Sequence, residues 1–119
     1  MKNLGITQIS RNNPLLNKYK NTIRNWDSEG SFVEVLESDS INTMYGVFYD
    51  DHFLGASIMQ IDPETMIANV HCVNGSNMHR DLIDEFFSME LPRIANDYGA
   101  TDVVFNGVKR VENQKTYVK

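Results

Sequence analysis

The apolar positions of this chain change rhythm several times. Leu15, Leu16, Tyr19, Ile23 and Trp26 recur at three- and four-residue steps, which draws one stripe of a helix. Asn13 just ahead is a favoured N-cap. Pro14 suits a first helical position, where the N–H it lacks has no partner anyway. Asp27-Ser28-Glu29-Gly30 ends that helix, and Phe32, Val33, Val35 and Leu36 predict a short strand. Segments 44–49 and 52–61 read as the arms of a hairpin turning at Asp50-Asp51. A turn at Asp62-Pro63-Glu64 leads to a third arm over 65–73, rich in Ile67, Val70 and Val73.

The spacing then becomes helical again. Leu82, Ile83, Phe86, Phe87, Leu91, Ile94, Ala95 and Tyr98 predict a long amphipathic helix over 81–98, which Pro92 should kink or split and Gly99 should stop. Val103-Val104-Phe105 forms a last short strand, and the tail 109–119 is polar. The order predicts an α+β fold with a central, mostly antiparallel sheet flanked by helices. With 119 residues, one domain over 1–119 is expected.

Composition narrows the function classes. The chain is 41% hydrophobic and 23% charged, in the globular range. No apolar run approaches the roughly 20 residues that span a bilayer, and the start lacks a signal-peptide core, so no membrane partner is expected. A net charge of -5 offers no basic excess for nucleic acid. A lone cysteine, Cys72, excludes an internal disulfide and points to a reducing compartment, taken as the cytoplasm.

Candidate chemistry is sparse. His71 and Cys72 are neighbours on the third arm, so they face opposite sides of the sheet and cannot act as a nucleophile–base pair. Cys72 reads as a small buried hydrophobe, and His71 as a half-exposed strand residue or an acid/base group. His52, His71 and His79 have no metal-ligand spacing, and no metal is expected. Asp81, Asp84, Glu85 and Glu90 make the outer side of the long helix acidic, a solvated face or a dock for a basic partner. Tyr45, Tyr49 and Phe53 are expected on both sheet faces, which would leave an aromatic patch for a protein interface or a second copy of the chain.

The element order resembles the GCN5-related N-acetyltransferase (GNAT) family. The hairpin through Val47-Phe48-Tyr49-Asp50-Asp51-His52-Phe53-Leu54-Gly55-Ala56 is similar to that family's "leucine-valine-glycine" hairpin. Ile94 to Ala100 followed by Val103-Val104-Phe105 is similar to the end of its central helix and the next strand, and Asn113 with Tyr117-Val118-Lys119 to its last helix. The family's Arg/Gln-x-x-Gly-x-Gly/Ala loop, whose N–H groups at a helix N-terminus hold the pyrophosphate of acetyl-CoA, corresponds to the stretch from Val73 to Asp81. That stretch has one glycine, and Asp81 places a negative charge at the helix start. The chain is also expected to lack the family's final hairpin, either as a minimal fold or with the sheet completed by another chain.

The resemblance implies a cofactor site at Val73, Asn74, Gly75, Ser76, Asn77, His79 and Arg80. It implies Tyr117 as the acid that protonates the departing thiolate. The family's usual strand glutamate is absent from 65–73, so His71 stands in as the base. Two functions follow. The loop's chemistry favours a GNAT-like domain that has lost catalysis, holds no cofactor and binds a protein partner. Its 13 scattered asparagines and small size resemble bacteriophage accessory proteins, whether virion parts or inhibitors of host factors. The alternative is an acetyl-CoA-dependent N-acetyltransferase acting on a primary amine.

Overall fold

A computed structural model describes residues 4–27, 30–38, 43–75 and 80–106, without the side chain of Asn106. In chain order these form β1 (Leu4–Ile9), α1 (Leu16–Trp26), α2 (Ser31–Ser38), β2 (Thr43–Tyr49), β3 (His52–Ile61), β4 (Ile67–Asn74), α3 (Arg80–Asp97) and β5 (Asp102–Asn106). The five strands make one sheet in the order β1-β2-β3-β4-β5. Its first three pairings are antiparallel, and β4 with β5 is parallel, which the intervening α3 makes possible.

Both faces of the sheet are covered, which explains why β3 is buried from Gly55 to Met59 without alternation. On one face Tyr45, Val47, Met59, Ala68 and Val70 meet Ile83, Phe87, Leu91 and Ala95 of α3. On the other Ile9, Met44, Ala56 and Ile58 meet Ile23 of α1 and Phe32, Val33 and Leu36 of α2. The hairpin, the third arm, the long helix and the last strand stand where the spacing predicts them. So does Gly99, which ends the helix with φ +94°, a conformation that costs glycine nothing.

Three expectations are corrected. Residues 32–36 form a helix, not a strand. Phe32, Val33 and Leu36 are the buried set, a helical i, i+1, i+4 face. Asp27 starts that helix, its Oδ2 accepting from the Phe32 N–H at 2.9 Å and the Ser31 hydroxyl at 3.1 Å. A strand at 4–9 also precedes the first helix. Leu4 and Ile6 reach the α3 side while Ile9 reaches the other, a pattern too short and mixed to read. Finally, Pro92 does not split α3, which runs as one element through it, because Phe87 and Leu91 before it and Ala95 after it are all buried on the sheet. The lost helical hydrogen bond is outweighed by that burial.

Smaller adjustments follow the same logic. Asn13 does its capping ahead of α1, its Oδ1 accepting the Leu15 N–H at 2.8 Å, so the helix proper begins at Leu16. Of the three aromatics expected to mark a patch, Tyr45 is buried under α3, Phe53 is half-buried under α1, and only Tyr49 is exposed. Burial, with the Tyr98 hydroxyl beside it, pushes the Tyr45 phenol up to about 12.

Candidate functional site

The site is built at the end of β4. The parallel pairing with β5 runs from Ile67 opposite Asp102 to His71 opposite Asn106, and β4 then continues to Asn74. On its other side His71 lies opposite Ile58, which faces α1 and α2, so the imidazole is on that face. It is half-buried, and desolvation holds its pKa below 6.5. Burial thus favours the neutral imidazole, the form able to accept a proton. Cys72 points the opposite way into the α3 cluster, so the two do not pair, as alternation requires. Val73 returns to the His71 side and packs, as Trp26 and Phe53 do, against the α1–α2 cluster.

Beyond Asn74 the chain is held from three directions. The Gly75 N–H donates to the Leu54 carbonyl at 2.9 Å. Leu54 is the extra residue where the β2–β3 register shifts, with Val47 opposite Gly55 and Phe48 opposite Phe53. The Asn74 amide nitrogen donates to the Arg80 carbonyl at 2.9 Å and to Asp84 Oδ1 at 3.2 Å, tying the strand's last residue to the first two turns of α3. The Trp26 indole rests on Gly75, where a Cβ would lie 1.9 Å from its Cε2.

Of the residues expected in the site, Val73, Asn74, Gly75 and Arg80 thus meet at the β4–α3 junction. His71 lies two residues back on the same face as Val73. Ser76, Asn77, His79 and Tyr117 lie outside the described residues. Sequence reasoning missed Trp26, Leu54 and the bond between Asn74 and Asp84. Trp26 was visible as the last position of the α1 stripe, but a stripe does not say which backbone its end will touch.

The start of α3 is suited to an anion in one respect and opposed to it in another. Its first N–H groups have no acceptor within the helix and carry the positive end of the helix dipole, and Arg80 is exposed there. Asp81 sits in the first turn and Asp84 one turn on, both at the same end. A surface carboxylate a few Å from a phosphate opposes it by about 1 kcal/mol at ordinary salt. The donor set fits a phosphate group, then, with weakened hold. Among the described residues no group of three or more His, Cys, Asp or Glu could hold a metal ion, and no helix is long and apolar enough to cross a membrane.

No protein-family model matches the sequence, and no curated protein matches it closely enough to count as a relative. Solved structures do resemble the fold. A ribosomal-protein-alanine N-acetyltransferase from Brucella melitensis biovar Abortus 2308 superposes with a TM-score of 0.69 at 17% identity, over 97% of this chain and 88% of that one. A GNAT family acetyltransferase from Elizabethkingia anophelis with acetyl-CoA bound gives a TM-score of 0.71 at 9% identity, over 99% and 74%. This chain has the GNAT fold. An aminoglycoside acetyltransferase from an uncultured soil metagenomic sample gives 0.64 at 11% identity, over 98% and 86%.

The fold agrees with the sequence in its order of elements and departs from it in the nature of α2, the presence of β1 and the unbroken run of α3 through Pro92. Identities of 9–17% among the compared structures fit a divergent chain.

Proposed function

We propose that this protein is an acetyl-CoA-dependent N-acetyltransferase that acts on a primary amine. The observation that carries the reading is His71, a half-buried imidazole kept neutral by its surroundings, at the end of the parallel β4–β5 pairing. Likeness to an acetyltransferase structure with acetyl-CoA bound supports the choice of cofactor.

Acetyl-CoA, when bound, supplies an acetyl group activated as a thioester. The amide groups at the start of α3 and the Arg80 guanidinium hold the phosphates, and Asn74 keeps β4 and α3 at a fixed separation for them. His71 takes the proton from the attacking amine, which a neutral imidazole can do and an imidazolium cannot. Tyr117, outside the described residues, is the proposed donor to the departing sulfur. Thiol release monitored against a panel of primary amines tests the reaction. Turnover should fall with His71→Gln and survive in an otherwise identical Cys72→Ala chain. Full activity of His71→Gln removes that residue from the mechanism.

A second reading keeps the fold without the chemistry and assigns the protein to binding a partner. Asp81 and Asp84 at the cofactor end of α3, with exposed Glu85 on the same helix, are what favour it. Its signature is tight capture of a basic protein, lost on Glu85→Lys, by a chain that ignores acetyl-CoA.

A further inference from the structure

We propose that Trp26 is a positioning residue for the β4–α3 junction, its indole fixing the place of Gly75 and so coupling the end of α1 to the start of the cofactor turn. The functional consequence rests on the acetyl-CoA reading above; the mechanical part stands without it. A Cβ on Gly75 would meet three indole atoms, at 1.9, 2.3 and 2.4 Å. Gly75 has no positive φ, so its backbone conformation does not demand glycine. What demands it is the tryptophan. The Gly75 N–H is tied to the Leu54 carbonyl at 2.9 Å, so the residue is held by both the indole and the β3 bulge.

The indole is itself immobilised. Its ring centroid lies 5.0 Å from that of Phe53, which in turn lies 4.7 Å from Tyr19 and 5.3 Å from Phe48. Trp26 is the last residue of α1, and Asp27 directly after it caps α2. A displacement of the α1–α2 corner therefore moves the indole, and Gly75 must follow or lose its seat. Anchoring α1 does not require this contact, because Ile23 is fully buried and Leu16 and Tyr19 pack on the same cluster.

The test uses the full chain with Gly75→Ala, Trp26→Leu and the double variant, read by amide hydrogen exchange and by acetyl-CoA calorimetry. Trp26→Leu should speed exchange at the Gly75 amide, which donates to the Leu54 carbonyl, by about ten-fold or more while Ala56, Ile58 and Met59 in β3 stay as in the parent. Gly75→Ala should weaken acetyl-CoA by about ten-fold, and the double variant should recover to about three-fold of Trp26→Leu alone, the non-additivity expected of touching residues. Unchanged exchange at the Gly75 amide in Trp26→Leu overturns the proposal, as does a double variant no better than Gly75→Ala. If Gly75→Ala does not fold, Trp26→Leu carries the comparison by itself. A parent chain that ignores acetyl-CoA would overturn the enzyme reading, and the exchange result would still decide the role of Trp26.

Discussion

The two ends of the parallel β4–β5 pair are held together in different ways. At the end where the strands begin, backbone does the work. The Thr101 N–H donates to the Met66 carbonyl at 2.8 Å, the Met66 N–H to the Asp62 carbonyl at 2.7 Å, and the Ala100 N–H to the Ala95 carbonyl at 3.0 Å. Met66 accepts φ +59° to serve there, a strained conformation for a residue with a Cβ. At the other end the described ties beyond the last pairing are mostly made by side chains: Asn74 to Arg80 and Asp84, and Trp26 on Gly75. The starting end thus leans mainly on backbone, with the Thr101 hydroxyl adding a bond to the Met66 carbonyl at 3.3 Å, whereas the far end depends more on a few replaceable groups. Ligands of sheets with parallel strands gather outside the carboxyl ends, and here that is the end where chemistry can vary without cost to the frame.

Substitutions at the two ends should separate function from stability. The largest effect is expected at His71. His71→Gln should lower kcat/KM by about 10²–10⁴, the usual contribution of a general base, and leave the melting temperature nearly unchanged. In the parent, kcat/KM should rise with pH through a value below 6.5 and be level by neutral pH, since the base form is the active one. The same depressed pKa makes the unfolded chain bind more protons than the folded one between the folded value and 6.5. Stability should therefore fall as pH is lowered through that window and level off beneath it.

Next in size is the frame. Leu91→Ala, emptying a fully buried position under α3, should cost about 2–5 kcal/mol in denaturant unfolding, with acetyl-CoA affinity of the remaining folded protein unaltered. An equal loss of affinity would mean that the α3 face and the site are not separable. Asp84→Asn keeps an oxygen for Asn74 to donate to and removes the charge. It should tighten acetyl-CoA by several-fold, about 1 kcal/mol, and more at low salt. The smallest effect belongs to Met66→Gly. Relief of the positive φ should raise stability by about 0.5–1 kcal/mol, offset in part by the freer unfolded chain, and calorimetry should find cofactor binding untouched.

Much of the frame was legible because its signals are periodic and local. The 3.6-residue step of Ile83, Phe87 and Leu91, the alternation through the hairpin arms and Gly99 at the helix stop each needed only their neighbours in sequence. Residues 32–36 misled because four apolar residues in five satisfy a strand and a short helix alike, and the arbiter was Asp27, five positions before Phe32. The alternation of β4 was enough to separate His71 from Cys72. Nothing local could show that Trp26 would lie on Gly75, 49 positions away by their numbers, or that Asp84 would meet Asn74 across the junction. Asp81 could be read as a cap or as an obstacle to phosphate, and the structure places it at the N-terminal end of α3 with Arg80 and Asp84.

The most direct measurement is calorimetric titration of the full chain with acetyl-CoA at neutral pH and moderate salt. The account predicts one site per chain with a micromolar dissociation constant, tightened by Asp84→Asn and unaffected by His71→Gln. No heat of binding at millimolar acetyl-CoA, in a chain shown to be folded, would contradict it.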